Sequence, residues 1–203
     1  MKSAFAIAAV SFAAIFPAPG ATLFFDNIST GTMPASYSNF QWSGFQVVSG
    51  LTTFGGYSNA VVSPKNVIGN IDSRFATVSN NPAFAFFTLN SAYLTSAYND
   101  GLHVEAQGFA GGTMVYDNTY IIDTTAPTLI QFNYGNVNAI KFISSGGTLH
   151  PGYPDQGVHD FNFAIDNFTF SLPIPEPGAG TMLLLALATA GLQSFQRKRR
   201  QGG

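Results

Sequence analysis

Apolar and polar residues alternate most cleanly in LHVEAQGF, where Leu102, Val104 and Ala106 fall on one side and His103, Glu105 and Gln107 on the other. A period of two is the mark of a half-buried strand, and the apolar set should point inward. After Ala110-Gly111-Gly112, the run TMVYDNTYIID places Met114, Tyr116, Tyr120 and Ile122 on one face. The two runs therefore predict a hairpin around a glycine turn. TLIQFNY and NAIKFIS, separated by Gly135-Asn136-Val137, predict a second hairpin. FNFAIDNFTF is the last predicted strand, and TLFFD, FQWSGFQVV, FATV and AFAFFTL are earlier ones. No helical period lasts beyond a turn or two, and no repeat of fixed length is present. The expected fold is an all-β, antiparallel two-sheet β-sandwich of jelly-roll-like form.

Two places break the pattern. In the last strand Phe161, Phe163 and Ile165 share one parity, and Phe168 and Phe170 share the other. The apolar face switches at Asp166-Asn167. A β-bulge would do this, and so would a central strand buried on both faces. The second place is SSGGTLHPGYPDQGVHD, from Ser144 to Asp160, a long Gly/Pro loop of the kind that often carries binding groups.

The two ends follow other rules. Residues 1–21 pair Lys2 with an apolar run from Ala4 to Phe16, then small residues and prolines. That is the layout of a secretory signal peptide, with cleavage expected near Gly20 or Ala21. A buried helix is the alternative, but the run begins at Met1 and ends in Pro-Ala-Pro-Gly. At the other end, a charge-free Leu/Ala run in 181–196 precedes Arg197, Lys198, Arg199 and Arg200, which are four of the eight cations in the chain. The run is short for a span but reaches the needed length if Pro177 to Gly180 sit in the interface. The clustered cations should stay cytoplasmic and leave the preceding domain outside the inner membrane. An interfacial helix would need a charged face, which this run lacks. The expected order is signal peptide 1–21, β-sandwich 22–172, linker 173–180, transmembrane helix 181–196 and basic tail 197–203.

Composition narrows the chemistry. Only 9% of residues are charged and 20 are Phe, a balance opposite to that of a disordered chain. Cysteine is absent, so disulfides, Cys-based metal sites and thiol catalysis are excluded. From Thr22 to Ile174 the only cations are Lys65, Arg74 and Lys141, against Asp26, Asp72, Asp100, Glu105, Asp117, Asp123, Asp155, Asp160 and Asp166. Such a domain lacks the basic footprint that nucleic acid requires. It suits Ca²⁺ better.

Pro175-Glu176-Pro177, the apolar run and the terminal basic cluster together resemble the PEP-CTERM sorting signal of Gram-negative bacteria. That resemblance implies processing by exosortase, a membrane-embedded cysteine transpeptidase-like enzyme. It also implies an inner-membrane-anchored precursor and then the cell surface or the extracellular matrix, usually in bacteria that make exopolysaccharide and biofilm. It covers about the last thirty residues and is silent on the cargo. The stretches SAYLTSAYNDGLHVEAQGFAGGTMVYDNTYIIDTTAPTLIQFNY, NAIKFISSGG and FAIDNFTF are similar in style to carbohydrate-binding-type jelly rolls. In jelly rolls resembling this one, the first and last strands are commonly neighbours and a calcium ion often ties them. That resemblance implies Asp26 and Asp166 as Ca²⁺ ligands, with Asp160 as a third. Asx turns and an ordinary bulge are the alternative.

No catalytic motif is present: no G-x-S-x-G elbow, no H-E-x-x-H helix and no phosphate loop. His103 and Glu105 share a strand face near Asp100, and His150, His159 and Asp160 bracket the long loop. A polar outer face and solvated loop residues are the simplest account of both groups. Flat rings stack on the apolar faces of sugars, and Trp42, Tyr57, Tyr93, Tyr98 and Tyr153 are the candidate rings. Most aromatics must nevertheless be core. The expectation is a non-catalytic, polysaccharide-binding or structural surface protein. The alternative is a secreted enzyme acting on polysaccharide.

Overall fold

The computed structural model describes residues 20–51, 53, 55–81, 86–155, 157 and 161–173. The expected sorting motif, span and basic tail, and all but the last two residues of the expected signal peptide, lie outside these residues. So do His159 and Asp160. Among the described residues no helix is long and apolar enough to cross a membrane.

The strands in chain order are β1 (Ala21–Leu23), β2 (Gly31–Thr32), β3 (Ser36–Tyr37), β4 (Phe40–Ser43) and β5 (Phe45–Ser49). A single helical turn, α1 (Gly56–Asn59), precedes β6 (Asn66–Asn70), β7 (Ala76–Asn80), β8 (Phe87–Ser96), β9 (Asn99–Asp100) and β10 (Leu102–Ala110). Then come β11 (Thr113–Ile122), β12 (Thr128–Val137), β13 (Ala139–Ser145), β14 (Thr148–Leu149) and β15 (Phe163–Ser171). One sheet, sheet A, has the order β12-β8-β15-β6-β5-β2, with β1 also paired to β15. The other, sheet B, has the order β11-β10-β13-β7-β4-β3. All pairings are antiparallel, and the molecule is a two-sheet β-sandwich.

Alternation explains the core between the sheets. Leu102, Val104 and Ala106 on β10 are fully buried, while His103 is exposed and Glu105 and Gln107 are half-buried on the outer side. Edge-to-face rings fill the centre: Phe40, Trp42, Phe45, Phe168 and Phe170 form a continuous group. The predicted hairpin is β10–β11, with Ala110 opposite Thr113 across Gly111 and Gly112, both at positive φ. An L side chain is strained at those angles, so the glycines set the turn. A bulge at Gly108/Phe109 puts Phe109 opposite Met114. Met114 therefore leaves the face of Tyr116, Tyr120 and Ile122 and lies 48% exposed. A one-residue insertion reverses parity, which a strict alternation count misses.

The second predicted hairpin does not form. β12 pairs with β8 in one sheet, and β13 pairs with β10 and β7 in the other. Asn138 carries the chain across: its N–H donates to the Phe109 carbonyl at 2.8 Å, and its carbonyl accepts from Asn80 N–H at 2.9 Å. Both strands bury alternate residues between the sheets, Ile130, Phe132 and Tyr134 on one and Ile140 and Phe142 on the other. Two runs of that kind suit facing sheets as well as a hairpin.

β15 shows why its apolar face switches. It pairs with β6 through Ala164 and Ile165, and with β1 through Phe168 to Phe170. Between them lies a bulge, with Asn167 at φ 51° and a register shift against β8. Asp166 sits at this junction with no exposed surface. Phe163 to Asp166 are also buried on both faces, so the two sequence explanations hold together.

The cover over Asp166 is the segment from Gly55 to Lys65. Tyr57 and Ala60 pack with Val67, Ala97, Tyr98 and Ala164 into a second small core outside sheet A. The fit is close: a Cβ on Gly56 would lie 1.7 Å from the Ser96 carbonyl oxygen. Asp166 Oδ2 accepts from Val62 N–H at 2.8 Å and Ser63 N–H at 2.9 Å, and Oδ1 accepts from Ser63 Oγ at 3.0 Å and Asn167 N–H at 2.7 Å. Burial pushes this carboxyl above its usual range against the pull of those donors. An amide would turn an NH₂ group toward one set of N–H donors. Asp166→Asn is therefore expected to cost about 1–3 kcal/mol in urea unfolding, the price of an unmet buried donor. A change within about 0.5 kcal/mol, the size of an ordinary surface substitution, would count against this role.

Candidate functional site

With sheet A covered over its centre, the broad open surface among the described residues is the outer face of sheet B. Pairing registers place its side chains in rows across the strands. One row runs Asp117, Gln107, Lys141, Thr77, Ser43 from β11 to β4. The next runs Met114, Phe109, Ala139, Ser79, Gln41. On the other side lie Thr119, Glu105 and Ile143, then Ile121, His103 and Ser145. Phe75, one residue before β7 and 58% exposed, lies under Lys141, whose Nζ is 4.7 Å from the ring centroid. Gln107 Nε2 donates to Glu105 Oε1. The surface thus combines two rings, Phe75 and Phe109, with amide, carboxylate, hydroxyl and ammonium groups on strands that fix their spacing.

Glu105 and Asp117 are the carboxylates of this face, at diagonally neighbouring positions on β10 and β11. Glu105 is opposite Thr119 and Asp117 is opposite Gln107. His103 shares the outer face with Glu105, but Asp100 faces elsewhere. Asp100 Oδ2 meets His150 Nδ1 at 2.7 Å, and its Oδ1 accepts from the Thr124 hydroxyl at 2.6 Å. This cluster holds the two-residue ladder of β9 and β14, and His150 N–H donates to the Tyr98 carbonyl at 2.9 Å.

The candidate rings separate. Trp42 is core, its Nε1–H donating to the Tyr37 carbonyl at 3.0 Å. Tyr57 and Tyr98 are buried edge to face beneath the cover of sheet A. These three positions are corrected to structural roles, because a sandwich with a second small core consumes rings on both sides of sheet A. Tyr93 is half-buried on the outer side of sheet A, between Leu129 and Asp166 in the ladder. Tyr153 is half-buried against His150, with ring centroids 4.5 Å apart. Neither lies on the sheet B face. Phe75, Phe109 and Lys141 were not among the sequence candidates. Their outward parity was readable, but their adjacency depends on β13 lying between β10 and β7.

Asp26 and Asp166 are brought close along the chain path, since β1 lies beside β15. Both, however, grip the same cover segment. Asp26 Oδ1 accepts from Lys65 N–H at 2.5 Å and Asn66 N–H at 2.9 Å. Phe25 at φ 61° turns the chain so that its own ring is buried while Asp26 reaches these amides. Ca²⁺ demands six to eight oxygen ligands. Asp166 has both oxygens filled by N–H and O–H donors, and among the described residues no group of three or more His, Asp or Glu is gathered. Asp26 and Asp166 thus each hold the cover, and Asp160, the third expected Ca²⁺ ligand, lies outside the described residues. A shallow cleft of about 320 Å³ lies beside Asp26, lined by Phe24, Asn27 and Tyr37. Tyr37 OH donates to Asn27 Oδ1 there at 2.7 Å.

No family model and no curated protein matches the chain. Among solved structures, it is similar at 13% identity to a CBM22-1–CBM22-2 tandem domain of Paenibacillus barcinonensis Xyn10C, with a TM-score of 0.44 over 83% of this chain and 49% of that one. The chain thus spans about half the length of that structure. The C-terminal family 22 carbohydrate binding module of Clostridium thermocellum Xyn10B gives 13% identity and a TM-score of 0.41, over 71% of this chain and 93% of that one. CBM51 from Clostridium perfringens GH95, in complex with methyl-galactose, gives 10% and 0.38, over 74% and 100%.

The Asp100 cluster yields a pH dependence. Burial alone would raise the Asp100 carboxyl, but hydrogen bonds from Thr124 and His150, with the field of His150, outweigh it and hold the group below its usual range. A lowered folded value means that its stabilisation is present above the unfolded value, about 3.9, and is lost as pH falls through the folded one. Wild type should therefore exceed Asp100→Asn in urea stability at pH 7, with the difference shrinking toward pH 3. An equal difference at both pH values would contradict the assignment.

Proposed function

We propose that this chain is an exported, non-catalytic polysaccharide-binding module whose binding surface is the outer face of sheet B. The observation that carries the proposal is the pairing of rings with fixed polar rows on one open sheet face. A long glycan needs an extended surface more than an enclosed pocket. Phe75 and Phe109 supply flat apolar area for the C–H faces of sugar rings. Gln107, Gln41, Asp117, Glu105 and Thr77 supply donors and acceptors for hydroxyls, the small set of placed polar groups that gives a site its specificity. Strand placement keeps those groups from losing much freedom on binding.

The cellular part of the proposal rests on sequence. The PEP-CTERM-like end supports exosortase processing of an inner-membrane-anchored precursor, then display at the cell surface or in the matrix of an exopolysaccharide producer. Glu176→Ala should accumulate unprocessed precursor in the membrane fraction of the host; unchanged maturation would remove exosortase from the account.

Binding is tested with the host's purified exopolysaccharide, using affinity electrophoresis and then a size assay of the polymer. Retardation is expected, and Phe75→Ala and Gln107→Ala should each weaken it by about tenfold, the effect of roughly 1.4 kcal/mol. Polymer shortened by wild type would make the protein an enzyme. Retardation unchanged in both variants would move the site off this face.

A further inference from the structure

The four ends of the two main strand orders are treated unequally, and β1, the side branch on β15, is only three residues long. Sheet A ends in β2, two residues long, and in β12, which carries two register shifts and left-handed residues at Asn133 and Asn136. Sheet B ends in β3, also two residues long. Short or bulged edges resist pairing with another chain. The fourth edge is β11, which runs ten residues, Thr113–Ile122, and among the described residues ladders only with β10. It contains no Lys, Arg, Pro or Gly, and its one bulge falls at Val115, which has no residue opposite it on β10, in the first three residues of the strand. Val115 and Ile121 on this strand are 49% and 64% exposed. From Tyr116 to Ile122 the edge is regular, and a regular edge of this length is a template for strand addition.

We propose that β11 pairs antiparallel with β11 of a second copy, making a two-fold symmetric dimer with a continuous sheet B. The strand is complementary to itself. A two-fold axis normal to the sheet must pass through a residue, because mirrored positions have to share a face. Centred on Asp117, it would set that carboxylate against its own copy. Centred on Asn118, it places Val115 opposite Ile121 and Asp117 opposite Thr119. Apolar then meets apolar, and acid meets hydroxyl, the favoured kinds of cross-strand pair. Because the other described edges are blunted, assembly stops at two copies instead of growing into a fibre. The inference stands independently of glycan binding. If both hold, the dimer joins two platforms into one surface, with the avidity that two linked sites confer.

The full chain is examined by analytical ultracentrifugation, beside a Val115→Lys/Ile121→Lys double variant whose folding is checked by circular dichroism. A wild-type dimer is expected, with the double variant dissociating at least about tenfold more readily. The native chain has no cysteine. Thr119→Cys should therefore cross-link as a homodimer with a short bis-maleimide, and Ser43→Cys, near the opposite edge, should not. A wild-type monomer at all concentrations, a dimer indifferent to the double substitution, or equal cross-linking at both cysteines would each overturn the proposal.

Discussion

A carboxylate with no access to water has to be surrounded by donors, and the way Asp166 meets that demand organises the molecule. It lies where β15 changes partner from β6 to β1, and the donors come from a segment laid over the outside of sheet A. Asp26 grips the same segment from the end of β1. Together they hold a second small core against a sheet whose outer side would otherwise face water. The consequence reaches the opposite side: with the centre of sheet A covered, the outer face of sheet B is the broad open surface among the described residues.

Much of this was legible in the sequence. Strict alternation found β10 and the direction of its side chains, and the Gly-Gly turn found its hairpin with β11. The parity switch at Asp166-Asn167 marked the bulge, and the first and last strands are neighbours as the resemblance implied. What remained hidden was long-range. Alternation specifies that β12 and β13 each have one buried face, but leaves open whether their polar faces lie in one sheet or on opposite sides of a sandwich. The Asn138 crossing is decided by hydrogen bonds to Phe109 and Asn80, far away in sequence. The same ambiguity hid the site, since Phe75, Gln107 and Lys141 become neighbours only once β13 is placed between β10 and β7.

The rings teach a related lesson. Trp42, Tyr57 and Tyr98 belong to residue types that serve sugars and cores equally well, and burial alone separates those roles. Trp42 lies between the sheets, and the two tyrosines lie under the cover held by Asp166. The ring most exposed on the sheet B face is Phe75, at the start of a short strand, with Lys141 above it. Its position comes from the chain turning at Gly44, where an added Cβ would sit 2.6 Å from the Phe75 carbonyl oxygen. A tight turn between β4 and β5 thus sets the approach to the platform.

The most direct measurement of the central claim is hydrogen–deuterium exchange of the protein with and without its purified exopolysaccharide. Added protection should concentrate in β7, β10 and β13, with β8, β12 and the cover over sheet A unchanged. Protection confined to the outer side of sheet A or to the cleft beside Asp26, with β10 and β13 unaffected, would contradict the account.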